Sequence, residues 1–152
     1  MTLPELAGVA ATLWPLSSGV FDFAALVPEV VREEFAAMDA QLRADSRQTL
    51  AGLVERWRRY GDWVSSGREV HWDDYFGMLA ARDQLQSLIV RATAGSVLLL
   101  EALVSEHDAR FMSGTRPDDD KLLRPGRWVE AGAAPPWWWE RVPIRLDRTG
   151  VE

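Results

Sequence analysis

The residues that could catalyse a reaction or hold a metal are few and scattered along the chain. His71 and His107 are the two histidines among 152 residues, and neither lies in an HxxxH or HExxH pattern. A catalytic zinc takes about three protein ligands, so His107 would need Asp108 and a carboxylate from Asp118–Asp120 folded back onto it. We interpret His107 instead as a surface histidine near a helix C-terminus, where it complements the helix dipole.

The remaining sequence patterns also argue against catalysis. Asp118, Asp119 and Asp120 could in principle bind a hard cation, but they lack the alternating spacing and glycine of an EF-hand loop and are more typical of a solvated turn. The chain has no cysteine, no GxSxG, no phosphate-binding glycine loop, and a single lysine, Lys121, outside any GK[ST] context. We therefore expect no enzyme activity, no cofactor and no metal.

Arginines and aromatic residues alternate in Glu55-Arg56-Trp57-Arg58-Arg59-Tyr60. Arginine beside stackable rings suits RNA or single-stranded DNA. At helical spacing, however, Trp57 belongs to a buried stripe, and Arg56 and Arg59 lie three residues apart on another face. That face is either a nucleic-acid contact or, as we favour, a solvated face that pairs with carboxylates.

The most informative motif is Pro135-Pro136-Trp137-Trp138-Trp139-Glu140-Arg141-Val142-Pro143. Paired prolines favour an extended backbone, in which successive side chains point in opposite directions. If Trp137 and Trp139 dock on the domain, Trp138 faces outward, or the reverse, and even in a helical turn the three rings would fan over about 200°. An outward tryptophan beside Arg141 has the composition of a binding hot spot. The alternative is that another part of the C-terminal segment covers the third ring.

Charge indicates the kind of partner. The net charge is -6, and residues 1–114 carry all of it, with 16 acidic and 10 basic side chains. An acidic surface disfavours nucleic acid and anionic lipid and suits a basic protein. The absence of cysteine and of a basic segment before the apolar N-terminal residues favours a cytoplasmic protein without a secretory signal.

The apolar run in Val97–Met112 organises the predicted fold. Its first eight residues are apolar except for Glu101, which predicts a helix surrounded by protein, and the run is too short for a membrane span of about 20 residues. We predict that the helix is interrupted at residues 93–96, because one continuous helix from Asp73 to Met112 would be about 60 Å long. A single kinked helix is the alternative.

Amphipathic helices are predicted around this central helix. A short helix covers Thr2–Trp14, and a longer one runs from Pro28 to Ala44, with Val31, Phe35, Met38 and Leu42 as its buried stripe. An Asp45–Gln48 capping box begins the next helix, which ends near Ser65 and buries Leu50, Leu53, Val54, Trp57 and Val64. Asp73 or Asp74 caps a further helix that reaches Ala92.

Residues 115–152 have a different composition, with five of the eight prolines and four of the eight tryptophans. Long helices cannot persist through this proline spacing, and tryptophan at this density argues against disorder. We predict one domain overall: an all-α bundle of four to five helices over residues 1–114, and an irregular, extended Pro/Trp-rich C-terminal strap over residues 115–152 that packs on it, with Trp128 as one anchor.

These features together favour a non-enzymatic interaction module. The leading expectation is an acidic bacterial inhibitor, an immunity protein or antitoxin, that binds a basic toxin through Trp137, Trp138, Trp139, Arg141 and Trp128. The alternative is a small helical subunit of a larger bacterial assembly that handles nucleic acid through Arg56 and Arg59. Either form allows homo-oligomers, and neither requires a membrane.

Overall fold

A computed structural model describes residues 29–123, 132 and 134–149. It contains four α-helices, α1 (Glu29–Ser46), α2 (Leu50–Ser65), α3 (Trp72–Arg91) and α4 (Ala94–Ser113). Four short strands also occur: β1 (Val70–His71), β2 (Thr115–Pro117), β3 (Arg141–Pro143) and β4 (Leu146–Asp147). The protein is thus mostly helical, as predicted, but with small strands that were not predicted. The predicted helix over Thr2–Trp14 and the predicted anchor Trp128 lie outside the described residues.

Helix α4 is packed against each of the other three helices, and most closely against α2. Leu99, Leu100, Leu103 and Val104 are buried, which confirms that the leucine-rich run lies in the core. Gly61 of α2 allows the close approach, because a Cβ there would lie 3.2 Å from a backbone oxygen of α4. None of the described helices has the length and apolar character needed to cross a membrane.

The helix boundaries agree with the predictions in two places and differ in two. Helix α2 ends at Ser65 before Gly67, and α3 ends at Arg91 before a break at residues 92–93, both close to the predicted positions. The predicted start of α2 at Asp45 is wrong. The preceding helix continues to Ser46 and stops where Arg47 adopts a left-handed conformation, with a φ of 56°. Thr49 caps α2 instead, by accepting a bond from Gly52 N.

The other difference is at the start of α3. This helix begins at Trp72, and the Nδ1 atom of His71 accepts a hydrogen bond from Asp73 N at 3.3 Å. The predicted caps, Asp73 and Asp74, instead lie in the first turn, where carboxylates are favourable next to the positive end of the helix dipole.

Two acidic residues of α1 satisfy the first turns of other helices. The Glu34 carboxylate accepts hydrogen bonds from Thr93 N at 2.7 Å and from the hydroxyls of Thr93 and Ser96 at 2.5 Å each. These bonds lower the pKa of Glu34 below its ordinary value, and the bond from Ser96 has the largest effect. Asp39 accepts a bond from Leu50 N at 2.6 Å. Helix α1 is therefore fixed to α2 and α4 through their otherwise unsatisfied N–H groups.

Two small sheets involve the described part of residues 115–152, one joining it to β1 and the other formed within it. β1 pairs in parallel with β4, and β2 pairs antiparallel with β3. Ile144 N donates to the Gly114 carbonyl between the two pairings. Gly114 is required there, because a Cβ at this position would overlap the backbone of Val64 and Ser65. The described part of the segment thus contains three short strands and one helical turn.

Candidate functional site: the tryptophan turn and its acidic surroundings

Residues Trp137–Glu140 form one turn of 3-10 helix, which we call the tryptophan turn. Trp139 N donates to the Pro136 carbonyl at 2.9 Å, so the paired prolines precede the turn instead of extending through it. Residues 137–140 therefore adopt a helical turn and not the extended form that the paired prolines favour. Trp138 is 4% exposed, and Trp137 and Trp139 are both half-buried against the core. Of the two arrangements considered, the structure has the one in which Trp138 faces inward.

Asp83 of α3 holds the turn in place. Its carboxylate accepts the indole N–H of Trp138 at 2.8 Å and that of Trp139 at 3.0 Å. The neighbouring Arg82 guanidinium lies over the Trp138 ring, 4.3 Å from its centroid, which is cation–π geometry. Consecutive side chains of α3 therefore contact consecutive tryptophans of the turn.

The same arginine belongs to a polar network inside the bundle. Arg82 is 5% exposed and forms a forked ion pair with Asp108 of α4, with N···O distances of 2.8 and 3.0 Å. Trp57 of α2 donates its indole N–H to the same carboxylate at 2.9 Å. A buried charge must be paired and hydrogen-bonded to be tolerated. Three helices thus share one satisfied network, and the tryptophan turn covers it.

An aromatic stack continues from Trp137 into the core. Its ring contacts Phe111 edge-on at a centroid distance of 6.3 Å, and Phe111 stacks on Tyr75 at 6.0 Å. The Tyr75 hydroxyl donates to the Arg141 carbonyl at 2.6 Å. Burial raises the pKa of Tyr75 far above its ordinary value, so this hydroxyl keeps its proton and remains a donor.

Arg141, one of the predicted partner contacts, is half-buried and makes three hydrogen bonds inside the protein. Its guanidinium donates to the hydroxyl and carbonyl of Thr115, at 2.8 and 2.9 Å, and to the Met112 carbonyl at 3.3 Å. The last carbonyls of a helix lack intrahelical partners, and a cation there is favourable. Arg141 therefore completes the C-terminal end of α4.

The tryptophan turn contributes one ring to what we call the aromatic row. Its members are Trp72 and Phe76 of α3 and Trp139, all half-buried, with ring centroids 4.9 and 6.1 Å apart along the row. The Asp83 carboxylate bonds Trp139, and three exposed carboxylates are neighbours of the row in sequence: Asp73 and Asp74 after Trp72, and Glu140 after Trp139. Indole faces and carboxylates are the two groups that bind arginine and lysine side chains.

The predicted nucleic-acid residues Arg56 and Arg59 are both exposed on α2. Arg59 lies 3.3 Å from Glu55, and the intervening Arg58 is bound between Glu55 and Asp62 at 2.5 Å each. Part of the arginine content therefore pairs with carboxylates of its own helix. No ion pair to Arg56 occurs among the described residues.

His107 and the aspartate triplet occupy ordinary structural positions. The predicted surface location of His107 is wrong: the residue is 3% exposed, and burial is the main reason that its pKa is lowered. The Asp118 carboxylate accepts Leu122 N and Leu123 N at 2.9 Å each, which closes the turn after β2. Within the described ranges no group of three or more potential ligands could hold a metal ion.

Sequence reasoning missed Asp83, which the structure makes the anchor of two tryptophans. The available signal was its position seven residues after Phe76 and eleven after Trp72, which places all three on one face of a helix. The contact itself joins residues 55 positions apart and could not be inferred from spacing.

No family model, curated protein or solved structure matches this chain.

Proposed function

We propose that this protein is a non-enzymatic interaction module that binds a basic protein through the aromatic row and its carboxylates. The observation that carries the proposal is the row itself, in which three half-buried rings lie in contact, Asp83 bonds Trp139, and three exposed carboxylates adjoin the rings in sequence. Rings fixed against a rigid helix lose little conformational entropy on binding, which makes them effective anchors. Net negative charge favours encounter with a cationic surface.

The specific form that we propose is a cytoplasmic bacterial inhibitor, an immunity protein or antitoxin, whose partner is a basic toxin. Trp139 replaces Trp138 as the proposed central contact, because Trp138 is already buried under its own domain. Trp137 and Arg141 act indirectly in this proposal by holding the turn in position. A neutral or acidic partner would find no complementary charge at the row.

Affinity purification from the native cell tests the proposal. We expect the tagged wild-type chain to retain one basic protein in equimolar amount, identified by mass spectrometry and released by raised salt. Asp73→Asn with Asp74→Asn should abolish this capture. Glu33→Gln with Glu101→Gln is the matched control, because it removes two exposed carboxylates from α1 and α4 and leaves the row intact.

Two outcomes would contradict the proposal. One is capture of the same proteins by the wild-type chain and by the Asp73/Asp74 variant. The other is a captured partner that is acidic. The inhibitor form is tested separately by expressing the captured protein alone and with this chain; we expect growth arrest in the first case and growth in the second.

A further inference from the structure

A second surface, at the C-terminal end of α2, carries arginine side chains. Trp63 is 37% exposed and Ile144 is 60% exposed, two of the largest apolar side chains on the described surface. Trp63, in the last turn of α2, donates its indole N–H at 3.3 Å to the carbonyl of Glu69, which lies in the loop that joins α2 to β1. Arg145, next to Ile144, contacts the same loop by donating to the Gly67 carbonyl at 3.2 Å.

Backbone contacts fix these residues at one end of the bundle. Val70 N donates to the Arg145 carbonyl at 2.9 Å, and Ile144 N donates to the Gly114 carbonyl at 3.1 Å. Gly114 in turn is packed against the backbone of Val64, directly after Trp63. Trp63 and Ile144 therefore lie on a surface that is held together by hydrogen bonds between the end of α2, the loop and the strands. These bonds also attach the loop to the bundle.

Three exposed arginines accompany the two apolar side chains. Arg59 lies one helical turn before Trp63 with 73% of its side chain exposed, Arg68 is exposed in the loop, and Arg145 is exposed beside Ile144. We call Arg59, Arg68 and Arg145, with Trp63 and Ile144, the arginine patch. Three carboxylates adjoin the patch: Glu69 in the loop, Glu55, which pairs with Arg59, and Asp62, which bonds Arg58 and Arg110. Arg68 and Arg145 form no ion pair among the described residues, so they supply the positive charge of the patch.

We infer that the arginine patch is a docking site for an acidic protein segment that carries an apolar side chain between its carboxylates. Arginine forms forked bonds with carboxylates, and a partly exposed tryptophan beside an aliphatic side chain is a typical apolar anchor point. Nucleic acid fits less well, because Ile144 is aliphatic and offers no face for a base to stack on, which leaves Trp63 as the one ring of the patch. This site consists of other residues than the aromatic row and is opposite to it in charge.

Selection from a random 12-residue peptide library displayed on phage tests the inference with the folded full chain. We expect enrichment of peptides in which aspartate or glutamate flanks leucine, phenylalanine or tryptophan. A selected peptide, synthesised and measured by fluorescence anisotropy, should bind about tenfold more weakly to Arg68→Glu with Arg145→Glu, and to Trp63→Ala. Arg43→Glu with Arg91→Glu is the matched control for charge, and it should not change the affinity.

Three results would overturn the inference. The first is a library with no acidic enrichment, and the second is an acidic peptide whose affinity is unchanged by the patch variants. The third is binding of a 20-nucleotide oligo-dT whose affinity is lowered by the Arg68 and Arg145 substitutions in the same way. Peptides that are only basic, and that lose affinity with Asp73→Asn and Asp74→Asn, would support the aromatic row and reject the arginine patch, so the two proposals fail separately.

Discussion

Buried charged side chains determine which polar groups must be paired inside this protein. Arg82 and Asp108 pair away from most solvent, and Trp57 and Trp138 complete the surroundings of the pair. In contrast, Arg110 and Glu106 form an exposed pair with a 3.8 Å separation. The buried pair is forked, with N···O distances of 2.8 and 3.0 Å, whereas the exposed pair has a single long contact, so the buried pair should contribute more to stability.

We expect Asp108→Asn to lower the free energy of unfolding by about 3 kcal/mol, because it leaves the Arg82 guanidinium buried without an opposite charge. Urea denaturation followed by tryptophan fluorescence measures this loss. Glu106→Gln is the control and should change stability by less than about 1 kcal/mol, as is typical of exposed pairs. Equal effects of the two substitutions would contradict the assigned network.

His107 should make stability depend on pH in the mildly acidic range. Burial disfavours its charged form and lowers its pKa, with smaller effects from Glu106, Arg110, Arg58 and Asp62 around it. The unfolded chain therefore binds the additional proton once pH falls below the ordinary value of 6.5, and the free energy of unfolding should decrease as pH falls through this value. Urea titrations at successive pH values measure the slope.

His107→Gln should remove that slope, whatever its effect on stability at neutral pH. The contribution of Glu34 is distinguishable, because its lowered pKa affects stability only below its ordinary value of 4.5. An unchanged slope in His107→Gln would show that another group titrates in this range.

At the scale of elements, two glycines differ in whether the surrounding structure has room for a side chain. Gly114 lies where the ends of α2 and α4 approach so closely that a Cβ would overlap Val64. Gly77 lies in the middle of α3, exposed, with open space around a Cβ. Glycine in the first position is required by contact, whereas in the second it weakens the helix without any packing reason.

We therefore expect Gly114→Ala to destabilise the protein strongly and Gly77→Ala to stabilise it by about 0.5–1 kcal/mol. Thermal unfolding followed by circular dichroism measures both changes, with the melting temperature moving in opposite directions. A neutral Gly114→Ala would mean that the two helix ends can separate without loss of stability.

Helices were predictable to the extent that their periodicity and stop signals are local. The stripe Leu50, Leu53, Val54, Trp57 and Val64 is buried as predicted, because spacing alone places these side chains on one face. Helix starts were less predictable. A start can be satisfied by a distant side chain, as Glu34 does for α4, and no local pattern indicates such a contact.

Strands and the candidate site escaped prediction for a related reason. β1 and β4 are two residues long and pair across more than 70 residues, so neither has a period that a sequence pattern can reveal. The tryptophan turn was assigned an extended backbone because of Pro135 and Pro136. Asp83, which accepts two indole N–H groups, instead favours a tight turn that brings Trp138 and Trp139 to one carboxylate.

At the scale of the whole molecule, the C-terminal segment contributes to the domain core. Trp138 is nearly fully buried, and Val142 is fully buried. Arg141 and Tyr75 bond the same segment to the ends of α4 and α3. Truncation before residue 137 would therefore expose the Arg82–Asp108 network as well as remove the aromatic row.

Trp138→Ala should cost about 3–5 kcal/mol of unfolding free energy, the usual range for deleting a large aromatic side chain from a core. Trp63→Ala is the comparison, and it should cost clearly less because its ring is partly exposed. Chemical denaturation measures both variants. Similar costs would mean that the tryptophan turn is attached only loosely to the bundle.

The parallel pairing of β1 with β4 affects how the chain can be made. Residue 70 emerges from the ribosome well before residue 146, so β1 has no strand partner until β4 has followed it. Asp83 likewise lacks both indoles until residues 138 and 139 have been made, and helices that could already collapse present an uncovered apolar side. The interval between the emergence of β1 and that of β4 is consequently the one in which a nascent copy is most exposed to aggregation, and when a chaperone would be of most use.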